Sequence, residues 1–262
     1  MNITDRTSAT QLINSLAQTG AKTPVVVTEA WSTTARLSRG VREIGVYPEV
    51  IYDAVASALE RGKDPAADRE VQRILASGRI SNEGVIAGVD NIAYDRFRKV
   101  CVDHADEIVD ALREPFDAAV KRLTEAHVAI GPIDLADTDT VARRGDTTAS
   151  MWAVATAAVA AIGNIVTGWM ALGEFADVVT LNPRHQVLRI AAPTFEQWET
   201  HGLEGRHAEP WVLLNEGLDL SLPTFSEYRY RIAVIEQGPV SQVPIDHTRS
   251  HIAGREIRVG GS

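Results

Sequence analysis

Cys101, His104 and Glu107 stand three residues apart, so a helix would carry a thiol, an imidazole and a carboxylate along one side. Those groups could be metal ligands, or a nucleophile with a base. Asp103 adds a further carboxylate. No second ligand cluster accompanies them, and the plainer reading makes Cys101 a core residue with His104 beside an apolar stripe. Asp134, Asp137 and Asp139 share one short stretch, as acids that hold calcium do. The glycine and closing glutamate of the familiar calcium loop are missing, so turn-forming and helix-capping aspartates explain them better. Arg144-Gly145-Asp146 spells a cell-adhesion tripeptide, yet Gly145 and Asp146 serve equally as a turn and cap before an apolar helix. Asp246, His247 and His251 lie near the C-terminus, where "DHTRSHIAGREI" is a poor helix former, so they read as solvated or partner-contacting. The sequence holds no G-x-G-x-x-G, Walker loop, H-E-x-x-H or G-x-S-x-G. On this reading no residue is assigned as catalytic, cofactor-binding or metal-ligating, and no cofactor is expected.

The elements that would position such residues are mostly helices. "DRTSATQLINSLAQTG" sets Leu12, Ile13 and Leu16 on one face and stops at Gly20. "YPEVIYDAVASALERG" opens at Pro48, repeats Ile51, Val55 and Leu59 at helical spacing, and ends at Gly62. In "DPAADREVQRILASG" Asp64 is expected to cap, Pro65 to start, Val71, Ile74 and Leu75 to pack, and Gly78 to end the helix. "TPVVVTEAW" and "VREIGVY" read as short strands. From Phe97 through Cys101, Ile108, Leu112, Phe116 and Leu123 to Ile130, apolar residues recur at helical spacing, giving one long helix or two collinear ones. Pro115 lacks a backbone donor and predicts a kink or break. "GPIDLADTDTVARRGD" turns the chain, and the apolar stretch Met151 to Leu172 then pairs back as an antiparallel hairpin.

Beyond Phe175 the character changes. "ADVVTLNP" and "HQVLRIAAP" read as short strands or a strand entering a helix. "PTFEQW" and "PTFSEY" both carry the capping-box pattern. Thr194 therefore starts a helix, while Phe225 to Gln237 reads as helix or strand, because Tyr228, Tyr230, Ile232 and Val234 also alternate. The expected fold is mainly α with a smaller α+β C-terminal part: a long helical hairpin, then short strands, then an extended tail. The expected regions are 1–175 helical, 176–237 mixed α/β and 238–262 extended tail.

Met151 to Leu172 carries no charge and exceeds the about 20 residues of a bilayer span. Trp152 and Trp169 sit near its ends like interfacial anchors. Against a span stand its many alanines, Asn164, and a division into two faces. Trp152, Val159, Ile162, Val166 and Trp169 form a bulky stripe, and Ala153, Ala157, Ala160, Asn164 and Ala171 a small one. A small face lets a second backbone approach closely. A buried helix is the preferred reading and a membrane span at 151–172 the alternative.

Composition agrees with a soluble chain. Of 262 residues 45% are hydrophobic and 23% charged, enough for a sizeable core. The net charge of -9 disfavours general binding to nucleic-acid phosphates. The single cysteine makes no internal disulfide and gives no sign of an oxidising compartment, and the N-terminus shows no signal peptide. The expected location is the cytoplasm or a virion.

"EFADVVTLNPRHQVLRIAAP", Glu174 to Pro193, resembles a segment in the apical domain of tailed-phage major capsid proteins, a fold shared with encapsulin shells. "EYRYRIAVIEQGPVSQVPID", Glu227 to Asp246, resembles the strand-rich end of such shell proteins. The resemblance implies a strand ending in Asn182-Pro183 followed by a short helix, and a chain that works by packing rather than catalysis. The leading expectation is thus a non-enzymatic structural protein that self-assembles or binds a large assembly. Its partners would be copies of itself or other assembly subunits, without direct sequence-specific contact to nucleic acid. Trp152, Ile162 and Trp169 would pack within or between subunits, and a tail carrying Arg249 and Arg255 could drape over a neighbour. The alternatives are a helical ligand-binding protein or enzyme with a pocket between helices, and a membrane-associated helical protein.

Overall fold

The computed structural model describes residues 3–43, 48–80, 83–178 and 182–238. The first five helices are α1 (Ile3–Thr19), α2 (Val25–Glu43), α3 (Pro48–Glu60), α4 (Arg69–Ile80) and α5 (Glu83–Asp103). Then come α6 (Ala105–Ile130), α7 (Thr138–Arg144) and α8 (Asp146–Phe175), and after two 3-10 turns α9 (Phe195–Thr200), α10 (Pro210–Asn215) and α11 (Phe225–Gln237). The molecule is mainly helical, as the sequence predicts, and the described residues contain no strand.

α8 is the axis of the fold. α6 and α1 pack along it, forming the long hairpin and a third flanking helix. On α6, Ile108, Leu112, Phe116, Ala119, Leu123 and Ala126 are fully buried, a stripe at intervals of three and four. They meet Ala155, Ala158, Ile162, Ile165 and Trp169 of α8 within one apolar cluster. Gly168 makes the α1–α8 crossing close: a Cβ built there would stand 2.6 Å from Ser15 Cβ. The Ser15 hydroxyl is itself committed, donating to the Asn164 carbonyl at 2.7 Å.

The interruption in the long helix falls at His104 (φ -116°, ψ 25°), not at Pro115, which lies inside α6. The hydrogen-bond ladder carries through, since His104 N–H donates to Val100 O at 3.1 Å and Ile108 N–H to His104 O at 3.1 Å. Pro115 deletes one donor, while the neighbouring Leu112, Phe116 and Ala119 are fully buried and hold the helix in place.

The expected strands are corrected. "TPVVVTEAW" lies largely in α2, where Val27, Thr34, Ser38 and Val41 are buried at helical spacing. α2 packs on α5, and this contact overrides the β-preference of three valines. The start of "VREIGVY" ends α2, and residues 44–47 lie outside the described residues. In "HQVLRIAAP", 3-10 turns at Pro183–His185 and Val187–Arg189 precede an isolated antiparallel bridge between Ala191 and Leu220. Of "ADVVTLNP", residues 179–181 lie outside the described residues. Asn182 accepts from Arg184 N–H at 3.0 Å and caps the first of those turns.

Phe225 to Gln237 is helix. Thr224 Oγ1 accepts from Glu227 N–H at 3.1 Å and Glu227 accepts from Thr224 N–H at 2.6 Å, a complete capping box that decides against alternation. Thr194 and Gln197 form the same box at α9. The segment after α8 is fastened to the bundle by side chains that reach backbone carbonyls. Trp169 Nε1 donates to Pro223 O at 2.8 Å, Trp211 Nε1 to Ile133 O at 2.6 Å, and Arg113 Nε to Leu222 O at 3.0 Å. Arg231 donates to the carbonyls of Leu188, Ala191 and Ser221 at 3.0–3.2 Å, holding two loop segments together. One core cluster runs from Ala9 to Ile235, joining α1, α2 and α5 to α11.

α3 and α4 stand apart from that cluster. They pack on each other as a helical hairpin, and their buried residues Ala58, Val71 and Ile74 are not part of the main core. The N-cap of α4 is Asp68 rather than Asp64: Asp68 Oδ1 accepts from Glu70 N–H at 3.0 Å, while Asp64 closes its own turn onto Ala66 N–H at 2.9 Å. The helix continues through Gly78 to Ile80.

Candidate interaction surface

Among the described residues, Cys101, Asp134, Asp137 and Arg144 are used structurally. Cys101 is fully buried, and that burial pushes its thiol up to about 12, far from a reactive thiolate. His104 Nδ1 lies 3.1 Å from Glu107 Oε1 on the partly exposed side of the same turn, so the thiol and imidazole share no cleft. Asp134 accepts from Ala136 N–H at 2.8 Å as a turn residue. Asp137 caps α7, accepting from Thr140 N–H at 2.9 Å and from Thr140 Oγ1 at 2.5 Å, and the Thr140 bonds hold its carboxyl below the ordinary value. Among the described residues no group of three or more His, Cys, Asp and Glu is placed to hold a metal ion.

In the Arg-Gly-Asp sequence, Arg144 Nη1 donates to Ile130 O at 2.9 Å and ties α7 to the end of α6. Gly145 adopts φ +89° and makes the turn, but it is itself the N-cap of α8 and no side chain caps that end, so Asp146 is the first residue of the helix rather than its cap. Asp246, His247, Arg249, His251 and Arg255 lie outside the described residues.

A small polar cleft of about 250 Å³ is lined by Arg184, His185, Trp198, Glu199, Glu204 and Glu236. Two pairs form across it: Arg184 Nε donates to Glu204 at 2.5 Å and His185 Nε2 lies 3.6 Å from Glu236. These pairs tie the 3-10 turn to α11 and to the loop after α9.

The bulky stripe of α8 faces inward. Ile162 and Trp169 are fully buried within this chain, Trp169 against Phe225 and Tyr228 at ring distances of 5.3 and 5.1 Å. Trp152 is half-buried and its Nε1 donates to Leu135 O at 2.9 Å. The opposite face is exposed: Ala153, Thr156, Ala157, Ala160, Gly163, Asn164 and Thr167. Thr156 and Thr167 turn their hydroxyls back onto Trp152 O and Gly163 O, both at 2.9 Å. The result is four turns of exposed helix without a charge, where an ordinary surface carries about 25–35% charged residues. α8 is also long and apolar enough to cross a membrane by length and composition. Its bulky residues point into the protein and its outward side chains are small.

A second apolar surface includes Leu75, which the spacing predicts to pack but which is exposed. Tyr52, Leu59 and Leu75 of the α3–α4 hairpin are 69%, 60% and 46% exposed. The pattern that carries them was visible, but helical spacing does not say whether a stripe finds its cover inside the chain.

No family model, no curated protein and no solved structure matches the chain.

Proposed function

We propose that this protein is a non-enzymatic structural subunit that assembles with copies of itself or with other subunits of a larger assembly. The observation that carries the reading is the uncharged, exposed face of α8 from Ala153 to Thr167. Small side chains there allow a second helix to approach backbone to backbone, and burying the face desolvates no charge. The placement of Cys101 in the core and of Asp134 and Asp137 in turn and capping roles favours the same reading over a pocket enzyme.

The most specific form of the proposal is a phage-type virion or shell component, in the cytoplasm or in the particle. It rests on the sequence of Glu174 to Pro193 alone, because the second segment of resemblance begins as helix α11.

The test is the mass in detergent-free solution, by light scattering after size exclusion. A defined multiple of the chain mass or a megadalton particle is the expected result. A monomer at every concentration contradicts the proposal, and solubility only in detergent would replace it with the membrane reading.

A further inference from the structure

Among the described residues the hairpin α3–α4 is the one pair of long helices outside the main core, and its buried apolar side chains are Ala58, Val71 and Ile74. α3 has more apolar surface than α4 covers. Ile51, Ala54 and Ala58, at intervals of three and four, are half-buried or buried against α4. Tyr52, Val55 and Leu59 repeat the same spacing one step round the helix, and this second seam is exposed except for half-buried Val55. Two adjacent seams of this spacing are the pattern of a helix with two helical neighbours. Among the described residues the chain supplies one. Helical register in an antiparallel pair puts Leu75 of α4 on the same side as Tyr52 and Leu59, so the uncovered surface belongs to the hairpin as a whole.

We infer that this face pairs with the same face of a second copy, closing two hairpins into a four-helix bundle. Charge selects that occupant. α3 carries Glu49, Asp53 and Glu60 and no base, whereas α4 carries Arg69 and Arg73 against Glu70. A two-fold axis running along the helices sets acidic α3 of one copy antiparallel over basic α4 of the other, and repeats the match on the other side. The alternative, α3 over α3, opposes like charges. Size agrees as well. Helices of 13 and 12 residues are about 20 Å long, and two side by side are about 20 Å wide. The side chains on such a face provide about 600 Å² per partner, the small end of stable interfaces. Four helices also bury what two leave open, turning Tyr52, Leu59 and Leu75 into core.

The inference rests on the self-assembly reading and specifies one contact within it. The test measures mass against concentration by light scattering for three full-length chains: wild type, Leu59→Glu/Leu75→Glu, and Val50→Glu. Val50 is also exposed, at 45%, but register puts it on the opposite side of the hairpin. Far-UV circular dichroism establishes that each chain is folded. The expected result is wild-type association, at least a tenfold weaker association or halved mass in the double variant, and no change in Val50→Glu. Wild-type association that survives unaltered in the double variant overturns the hairpin contact and leaves self-assembly standing. An equal loss in Val50→Glu overturns the assigned face. A monomeric wild type at all concentrations overturns both the contact and the reading beneath it.

Discussion

The α1–α6–α8 bundle and the α3–α4 hairpin are written in the same code, apolar residues every three or four positions, with opposite outcomes. On α6 the stripe from Ile108 to Ala126 is wholly covered by other parts of the chain. On α3 the stripe of Tyr52, Val55 and Leu59 is left in solvent save for half-buried Val55. The stripe of the bundle is therefore covered within one molecule, and that of the hairpin is not covered by the described residues. Stability should concentrate in the first and association in the second.

The largest effect is expected at the centre of the bundle. Trp169→Ala removes a fully buried ring and the donor to Pro223 O, and should cost about 3–5 kcal/mol in denaturant-induced unfolding. A cost below that of an ordinary surface substitution would mean that the C-terminal segment is not seated on α8. Next comes Gly168→Ala, which drives a methyl into Ser15 while the Ser15 hydroxyl is held by Asn164 O. Overpacking there should cost about 1–3 kcal/mol, against the small gain that Gly-to-Ala brings at an open helix position. Gly163→Ala, on the exposed face of the same helix with open space around it, is the matched control.

The hairpin should respond to acid before the bundle. Burial acts to raise the Asp68 carboxyl, yet the Glu70 and Val71 amides with Arg61 and Lys63 hold it below the ordinary 3.8. A carboxyl depressed in the folded state contributes stability that is complete above its ordinary value and lost as pH falls through the folded one. The α4 N-cap should therefore open below about pH 4, read as loss of amide protection in α4 while Leu112 to Leu123 stay protected. The Asp68→Asn variant, which keeps a capping oxygen without a charge, should flatten that pH dependence. The smallest effect belongs to Leu75→Ala. It is half exposed in the monomer, so dilute-solution stability should move by no more than about 0.5 kcal/mol. A larger loss in dilute solution would show that Leu75 already has a partner within the chain.

The sequence made the helices legible wherever spacing and punctuation agreed. Leu12 and Leu16 are buried and Gly20 takes φ +68° after α1, and Gly62 takes the same φ after α3. The long hairpin was legible for the same reason. What failed was local preference against tertiary contact. Val25 to Val27 read as strand, but Val27 is buried where α2 crosses α5, and packing outweighed propensity. Tyr228 to Val234 alternate like a strand, and the reciprocal Thr224–Glu227 bonds, already visible as a capping pattern, decide for helix. Asp64 before Pro65 predicts a cap, but Asp68 reaches the free amides of α4. For the candidate site, the two faces of α8 were legible from residue size. The open seam of α3 was not, because a periodic stripe looks alike whether its partner is intramolecular or not.

Hydrogen exchange at two protein concentrations puts the contrast between the two regions to a single test. If the hairpin is half of an intermolecular bundle, amides of Tyr52 to Leu59 and Val71 to Leu75 gain protection with concentration, while those of Leu112 to Leu123 and Ile162 to Trp169 do not change. Hairpin protection that is the same from dilute to concentrated solution would contradict the account and leave α3–α4 as a surface element with no partner in its own kind.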